Sequence, residues 1–432
     1  MGPFVFSAYG DDVLVVPRVC APALFVAMLF PPGPVLAKDA PTAAPTIVER
    51  LVHVPSGDGE LACLPPLVVA EPLLEATLAA LEEVQLDPHF AVIVTAARLS
   101  CSSIYYVPVK NDVLGIGYQR SSESERFDDA PGKRLEGIVF LNDLPYWLES
   151  PEELKTAFLH EIGHRWLTRV HARVDDEDVP LTGRDDEHWS YFLDAGVSPL
   201  EGNLWSYDEV PTATAPRYPL RYSPLDLYLM GALEPEEVPP FRLLEPTAEA
   251  EELLDCDGRR LSRASVPQRC EPLAVPGTVR TITIDDLIEA EGPREPTAAD
   301  ALRSFSVAFL VIDDNRPVLS SESCANFRRL TGELTRVFSD ATDSRLSLEN
   351  EVSEGASCAT LQEASTSPFD KSSARGCAIS VPAGAGGSPR IGSFLLGAGA
   401  FAFGLRRLRR AAWRASGASR GSPNRRERPP PV

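Results

Sequence analysis

Leu159-His160-Glu161-Ile162-Gly163-His164 is the stretch on which the reading of this 432-residue chain turns, because it holds two of only 6 histidines, four positions apart, with a glutamate between them. On an α-helix, residues i and i+4 lie one above the other on one face, so two imidazoles at this spacing can reach a single tetrahedral Zn2+. Glu161 then stands where a carboxylate can act on a metal-bound water. The reading requires a helix, and the flanks supply one. Ser150-Pro151-Glu152-Glu153 has the form of a capping box with proline at the first helical position, and Leu154, Ala157, Phe158 and Leu159 continue it.

Working outward, the spacing of Leu74, Leu78 and Leu81 predicts a helix over 73–84, and apolar runs predict strands over 90–95, 104–109, 115–118 and 137–141. Asn111-Asp112 is turn chemistry between two of them. Downstream, Ser223-Pro224 opens a short helix that contains Asp226, Tyr228 and Met230. A strand is expected over 306–312, and an amphipathic helix over 323–338, with Phe327, Leu330, Leu334 and Phe338 on one face.

Composition divides the chain. Its 62 acidic against 41 basic residues give a net charge of −21, and no basic face is offered before the C-terminal tail, which excludes a general nucleic-acid binder. Residues 1–37 read as an export signal, with an apolar core and small residues at Val35-Leu36-Ala37. A Pro/Ala/Thr-rich linker follows at 38–47, then a body that divides weakly at Pro239-Pro240 into 48–240 and a loop-rich subdomain at 241–350. A Ser/Ala/Gly/Pro stalk covers 351–390, a short hydrophobic helix with an Arg cluster 391–410, and a basic tail 411–432. Setting aside Cys20 and Cys377 leaves Cys63, Cys101, Cys256, Cys270, Cys324 and Cys358, which in an exported chain suggest up to three disulfides; none has C-x-x-C spacing.

Two resemblances follow from these residues. Gly376-Cys377, the Gly/Ala-rich helix and Arg406-Arg407-Leu408-Arg409-Arg410 resemble the C-terminal sorting tags of myxobacterial surface proteins, which implies cell-surface display or release and a membrane partner for the helix. The pentapeptide, helix and preceding strands resemble an H-E-x-x-H zincin metallopeptidase. That resemblance implies an α+β fold in which a small mixed sheet precedes the active-site helix, one sheet edge pairs with an extended peptide or protein substrate, and Zn2+ is the cofactor. It makes His160 and His164 ligands and Glu161 the general base. The segment Gly115-Ile116-Gly117-Tyr118 is a candidate for the substrate edge, and Met230 invites comparison with a methionine turn.

The third ligand departs from the common patterns. Leu167 and Val170 stand where a metzincin has Gly and His, and on an unbroken helix His171 would lie about 16 Å along the axis from His160. His188, in His188-Trp189-Ser190-Tyr191, is favoured because it follows a Gly-containing loop long enough to turn back, with Asp194, Asp226 and His171 as alternatives. The acidic stretch 175–178 reads as a solvated turn, not a calcium site. Tyr191, Tyr222 and Tyr228 are candidates to hold an oxyanion. The function expected is zinc-dependent peptide-bond hydrolysis. Its rival is a surface binding or structural protein with a closed metal site, which has no use for Glu161.

Overall fold

Phe90–Thr95 forms a strand in which every residue is buried, the pattern of a strand covered on both faces. The computed structural model describes residues 46–48, 51–55, 77–96, 104–118, 121–122, 134–214, 219–255, 258–267, 272–313 and 320–352. Seven strands make the main sheet: β1 (Thr46–Val48), β2 (Leu51–Pro55), β3 (Phe90–Thr95), β4 (Tyr105–Pro108), β5 (Gly137–Asp143), β6 (Ser304–Asp313) and β7 (Ser347–Asn350). Their spatial order is β1-β2-β6-β3-β5-β4, with β7 also paired to β6. The strands β2, β6, β3 and β5 run parallel, as does β7 on β6, whereas β1 and β4 are antiparallel to their neighbours. The fold is α+β around a mixed sheet.

Alternate residues of the central strands serve two cores, as the period of two requires. Val92, Val94, Val139, Leu141, Val307 and Phe309 join one; Ala91, Ile93, Ile138, Phe140, Ala308 and Leu310 join the other. The second is covered by helix α1 (77–83) through Ala80 and Leu81. The first is covered by α2 (Leu144–Glu149), α3 (Pro151–Gly163) and α6 (Ser321–Ala341); α4 (Pro224–Leu229) and α5 (Ile284–Glu291) add to it. On α6 the buried residues include Phe327, Leu330, Leu334 and Phe338, the face its spacing predicts.

Three expectations are corrected. The strand β6 comes from the segment expected as a separate subdomain, yet it lies between β2 and β3, so 48–240 and 241–350 share one sheet. Its run Ala308-Phe309-Leu310-Val311-Ile312 is apolar on both faces and finds cover on both only inside a sheet. The first strand starts at Thr46, within the expected linker. The segment 115–118 is not a strand: Gly115 and Gly117 have φ of 72° and 70°, which strand geometry does not allow, and the antiparallel edge is β4 instead. The signal 1–37, the stalk from 353 onward, the helix 391–410 and the tail 411–432 lie outside the described residues. Among the described residues, no helix is long and apolar enough to cross a membrane.

Gly117 earns its place by a close approach. A Cβ there would stand 2.0 Å from the Arg169 carbonyl oxygen, at the turn that follows α3. Gly117→Ala is expected to add about 1–3 kcal/mol of backbone strain on top of that collision, and to push the loop off the end of the α3 helix. Denaturant melts of the variant and wild type would measure it; an unchanged midpoint would show that the turn relaxes freely.

Candidate metal centre

The helix α3 starts at Pro151, whose ring suits the first turn, with Glu152 and Glu153 at the positive end of the dipole. The expected capping box does not close, because the Ser150 side chain accepts no cap hydrogen bond. Its backbone N–H instead ends α2 by donating to Tyr146 and Trp147, so one residue closes a helix and opens the next. The α3 helix ends at Gly163 with His164 as its C-cap, and the chain then turns through Thr168 at φ 67°. The helix therefore ends before His171, with Gly163 as its last residue. His171 leads away on a hairpin, His171–Val174 with Glu177–Pro180, where its ring meets Asp178 in solvent. The hairpin turn, Asp175 and Asp176, has φ of 53° and 66°, the primed type that fits two strands; it is the solvated turn expected.

Glycine at 163 admits the next wall of the site. A Cβ there would lie 2.4 Å from Leu200 Cδ1. That approach brings the Pro199 carbonyl to 2.8 Å from His160 Nδ1. On the far side, Gly183 N–H donates to the His188 carbonyl at 2.8 Å and Thr168 Oγ1 to that of Glu187 at 2.5 Å, which folds the 183–188 loop back onto the end of α3. Trp189 locks it, since its Nε1–H donates at 2.8 Å to the buried carboxylate of Asp226.

The three imidazoles converge. His160 Nε2 lies 3.1 Å from His188 Nε2 and 3.3 Å from His164 Nε2. Tetrahedral zinc with Zn–N bonds of about 2.0–2.1 Å needs nitrogens roughly 3.3–3.4 Å apart, so the spacing fits such an ion. The tautomers agree. A carbonyl oxygen only accepts, so His160 Nδ1 and His188 Nδ1, the latter 3.1 Å from the Arg184 carbonyl, carry the protons and leave each Nε2 a lone-pair acceptor. Two lone pairs facing each other repel unless a cation lies between them. Among the described residues, His160, His164 and His188 are the one group of three that could hold a metal ion.

The alternatives lie elsewhere. Asp226 is wholly buried, caps α4 with Ser223 and holds Trp189; Asp194 sits in a two-residue strand opposite Arg242. Of the tyrosines, Tyr222 donates to the Leu159 carbonyl at 2.6 Å, Tyr228 accepts from the Arg294 N–H at 3.3 Å, and the buried Tyr191 hydroxyl meets no partner among the described residues. Met230 is a core residue at the C-cap of α4. Glu161 is buried beside the histidines, and its carboxylate meets no hydrogen-bond donor among the described residues; burial pushes it up to about 8.

Sequence reasoning missed two residues at this site. Arg184 Nη2 is 2.9 Å from His188 Nε2 and 2.5 Å from Glu201 Oε1. Arg184 was hidden in an acidic loop, and Glu201 carries no local signal at all. Comparison adds no relation: no protein-family model, no curated protein and no solved structure matches the chain.

Burial holds the imidazoles neutral, with His160 down at about 4 and His164 and His188 well below their usual range. In the unfolded chain each titrates near 6.5, so below that pH the unfolded state binds more protons than the folded one. The chelated protein is therefore expected to lose stability as the pH falls from about 6.5 toward 4. Urea midpoints measured on either side of that window would test it; equal midpoints would mean that the rings are open to solvent.

Proposed function

We propose that the chain is an exported zinc-dependent endopeptidase of the zincin type, with His160, His164 and His188 as ligands and Glu161 as general base. The observation that carries this reading is the meeting of three imidazoles, with His160 Nε2 at 3.1 and 3.3 Å from the Nε2 atoms of His188 and His164, next to the buried carboxylate of Glu161. When bound, zinc supplies a Lewis acid that acidifies water and polarises a carbonyl. The chain supplies the rest. The Pro199 and Arg184 carbonyls fix the rings of His160 and His188, and Trp189 and Asp226 hold the loop that carries His188. Glu161 receives a proton at its carboxylate and returns it to the leaving amine. The antiparallel edge strand β4, next to the strand that leads into the α2 and α3 helices, is where an extended peptide would add.

Metal analysis of the purified protein, with peptide cleavage before and after chelation, tests the reading. Stoichiometric zinc and a cleavage activity lost with the metal and regained with zinc are expected; bound zinc without cleavage of any peptide would favour a structural site.

Export is part of the proposal. Cys324, the one cysteine among the described residues, is disulfide-bonded, as suits an oxidising compartment. Deleting residues 378–432 is expected to send the folded body into the medium with its activity intact. Continued surface association of that variant would place the anchor elsewhere.

A further inference from the structure

We infer that Arg184 is the electrophilic catalytic residue of this site, donating to the carbonyl oxygen of the scissile bond and to the oxyanion that it becomes. The inference rests on the peptidase reading above. Its basis is a triangle of contacts: Arg184 Nη2 lies 2.9 Å from a ligand atom, His188 Nε2, and 2.5 Å from Glu201 Oε1, and that oxygen is 3.9 Å from the same ring nitrogen. The Glu201 side chain is 8% exposed and that of Arg184 38%, so the pair is rooted in the interior and opens to solvent at the guanidinium. Among the described residues, Arg184 Nε and Glu201 Oε2 meet no hydrogen-bond partner, which leaves hydrogen-bonding capacity on each member of the pair.

His188 Nε2 has one lone pair and cannot serve a guanidinium and a metal together. A cation bound there takes the lone pair and frees the Arg184 N–H. Glu201 Oε1, 3.9 Å from His188 Nε2, would keep the freed guanidinium beside the ring that holds the metal. An oxygen polarised by a metal on the three histidines would then lie on the side of the site that the Arg184 N–H faces. Glu201 cancels the charge of Arg184, which makes the pair a poor trap for a carboxylate and suits a neutral carbonyl that gains charge during the reaction. The Tyr222 hydroxyl donates to the Leu159 carbonyl instead.

The chemistry balances on these residues. Water adds through its oxygen to the carbonyl carbon while Glu161 takes one of its protons, and the carbonyl π pair moves onto the oxygen that faces Arg184. When that pair returns, the C–N bond breaks and the departing nitrogen takes the proton from Glu161. Arg184 keeps its own protons throughout, and one water is consumed.

The test compares Arg184→Met, Arg184→Lys and Glu201→Gln with wild type in the full chain, by zinc competition with a chromophoric chelator, by kinetics on an internally quenched peptide, and by inhibition with a phosphinic peptide. Arg184→Met is expected to bind zinc at least as tightly as wild type, because a competitor for His188 Nε2 is gone. Its kcat should fall about 10²–10³-fold with KM little changed, and affinity for the tetrahedral phosphinic anion should fall in step. Lysine should restore part of kcat, and Glu201→Gln should lower it less than Arg184→Met does. If Arg184→Met fails to fold, the double variant Arg184→Met/Glu201→Gln, which leaves no unpaired buried charge, is read in the same way. Full kcat in zinc-loaded Arg184→Met would overturn the inference and leave the peptidase reading standing. Loss of zinc in proportion to kcat would make Arg184 a brace for His188, and activity that vanishes when the substrate's C-terminus is amidated would make it a carboxylate clamp; either overturns the oxyanion role. A wild-type protein that holds zinc and cleaves no peptide would overturn both readings.

Discussion

Glu161→Gln is expected to retain zinc at wild-type stoichiometry and to lose peptide hydrolysis, a fall in kcat of about 10²–10⁴-fold, the usual worth of a positioned general base. The three imidazoles already meet without the carboxylate, so the metal does not depend on it. Glutamine has the same shape in a buried position and accepts no proton. Burial by itself holds Glu161 in its acid form near neutrality, up to about 8, whereas a dication among the three histidines favours the ionised form that a base requires. Metal analysis alongside a cleavage assay separates the two effects. Equal activity in variant and wild type would sink the assignment of Glu161.

His188→Ala is expected to weaken zinc binding by more than the roughly 10–100-fold cost of losing a group that merely orients a ligand, because it removes a ligand itself. His160→Ala and His164→Ala should do the same. The fold should survive, since the 183–188 loop is tied down by backbone bonds, by Thr168 and by the Trp189 to Asp226 contact, none of which uses the His188 ring. Circular dichroism would show an intact protein, and chelator competition a lost metal. Wild-type affinity in His188→Ala would move the third ligand to a carboxylate, Asp194 or Asp226, although the contacts of both argue against it.

Local chemistry was legible in the chain. A spacing of four on a helix puts His160 and His164 on one face whatever the surroundings, and Pro151 marks where that helix begins. The apolar runs of β3, β5 and β6 announced strands, and Ser223-Pro224 announced the start of a short helix, because period and turns are properties of a few adjacent residues. His188 could be favoured only by subtraction, since nothing within its own stretch says where an imidazole points.

Tertiary structure decided the rest, and for one reason: these features depend on partners distant in sequence. A run such as 308–312 states that it must be covered on both faces but not which strands will cover it, so the position of β6 between β2 and β3 was settled by packing alone. The glycines at 115 and 117 were read as strand residues because their close neighbours, the carbonyls of Pro293 and Arg169, are remote. The Pro199 carbonyl that orients His160 is backbone and has no residue type to recognise. Arg184 and Glu201 stand 17 residues apart, and only the fold sets them against His188 as a buried pair with one end open to solvent.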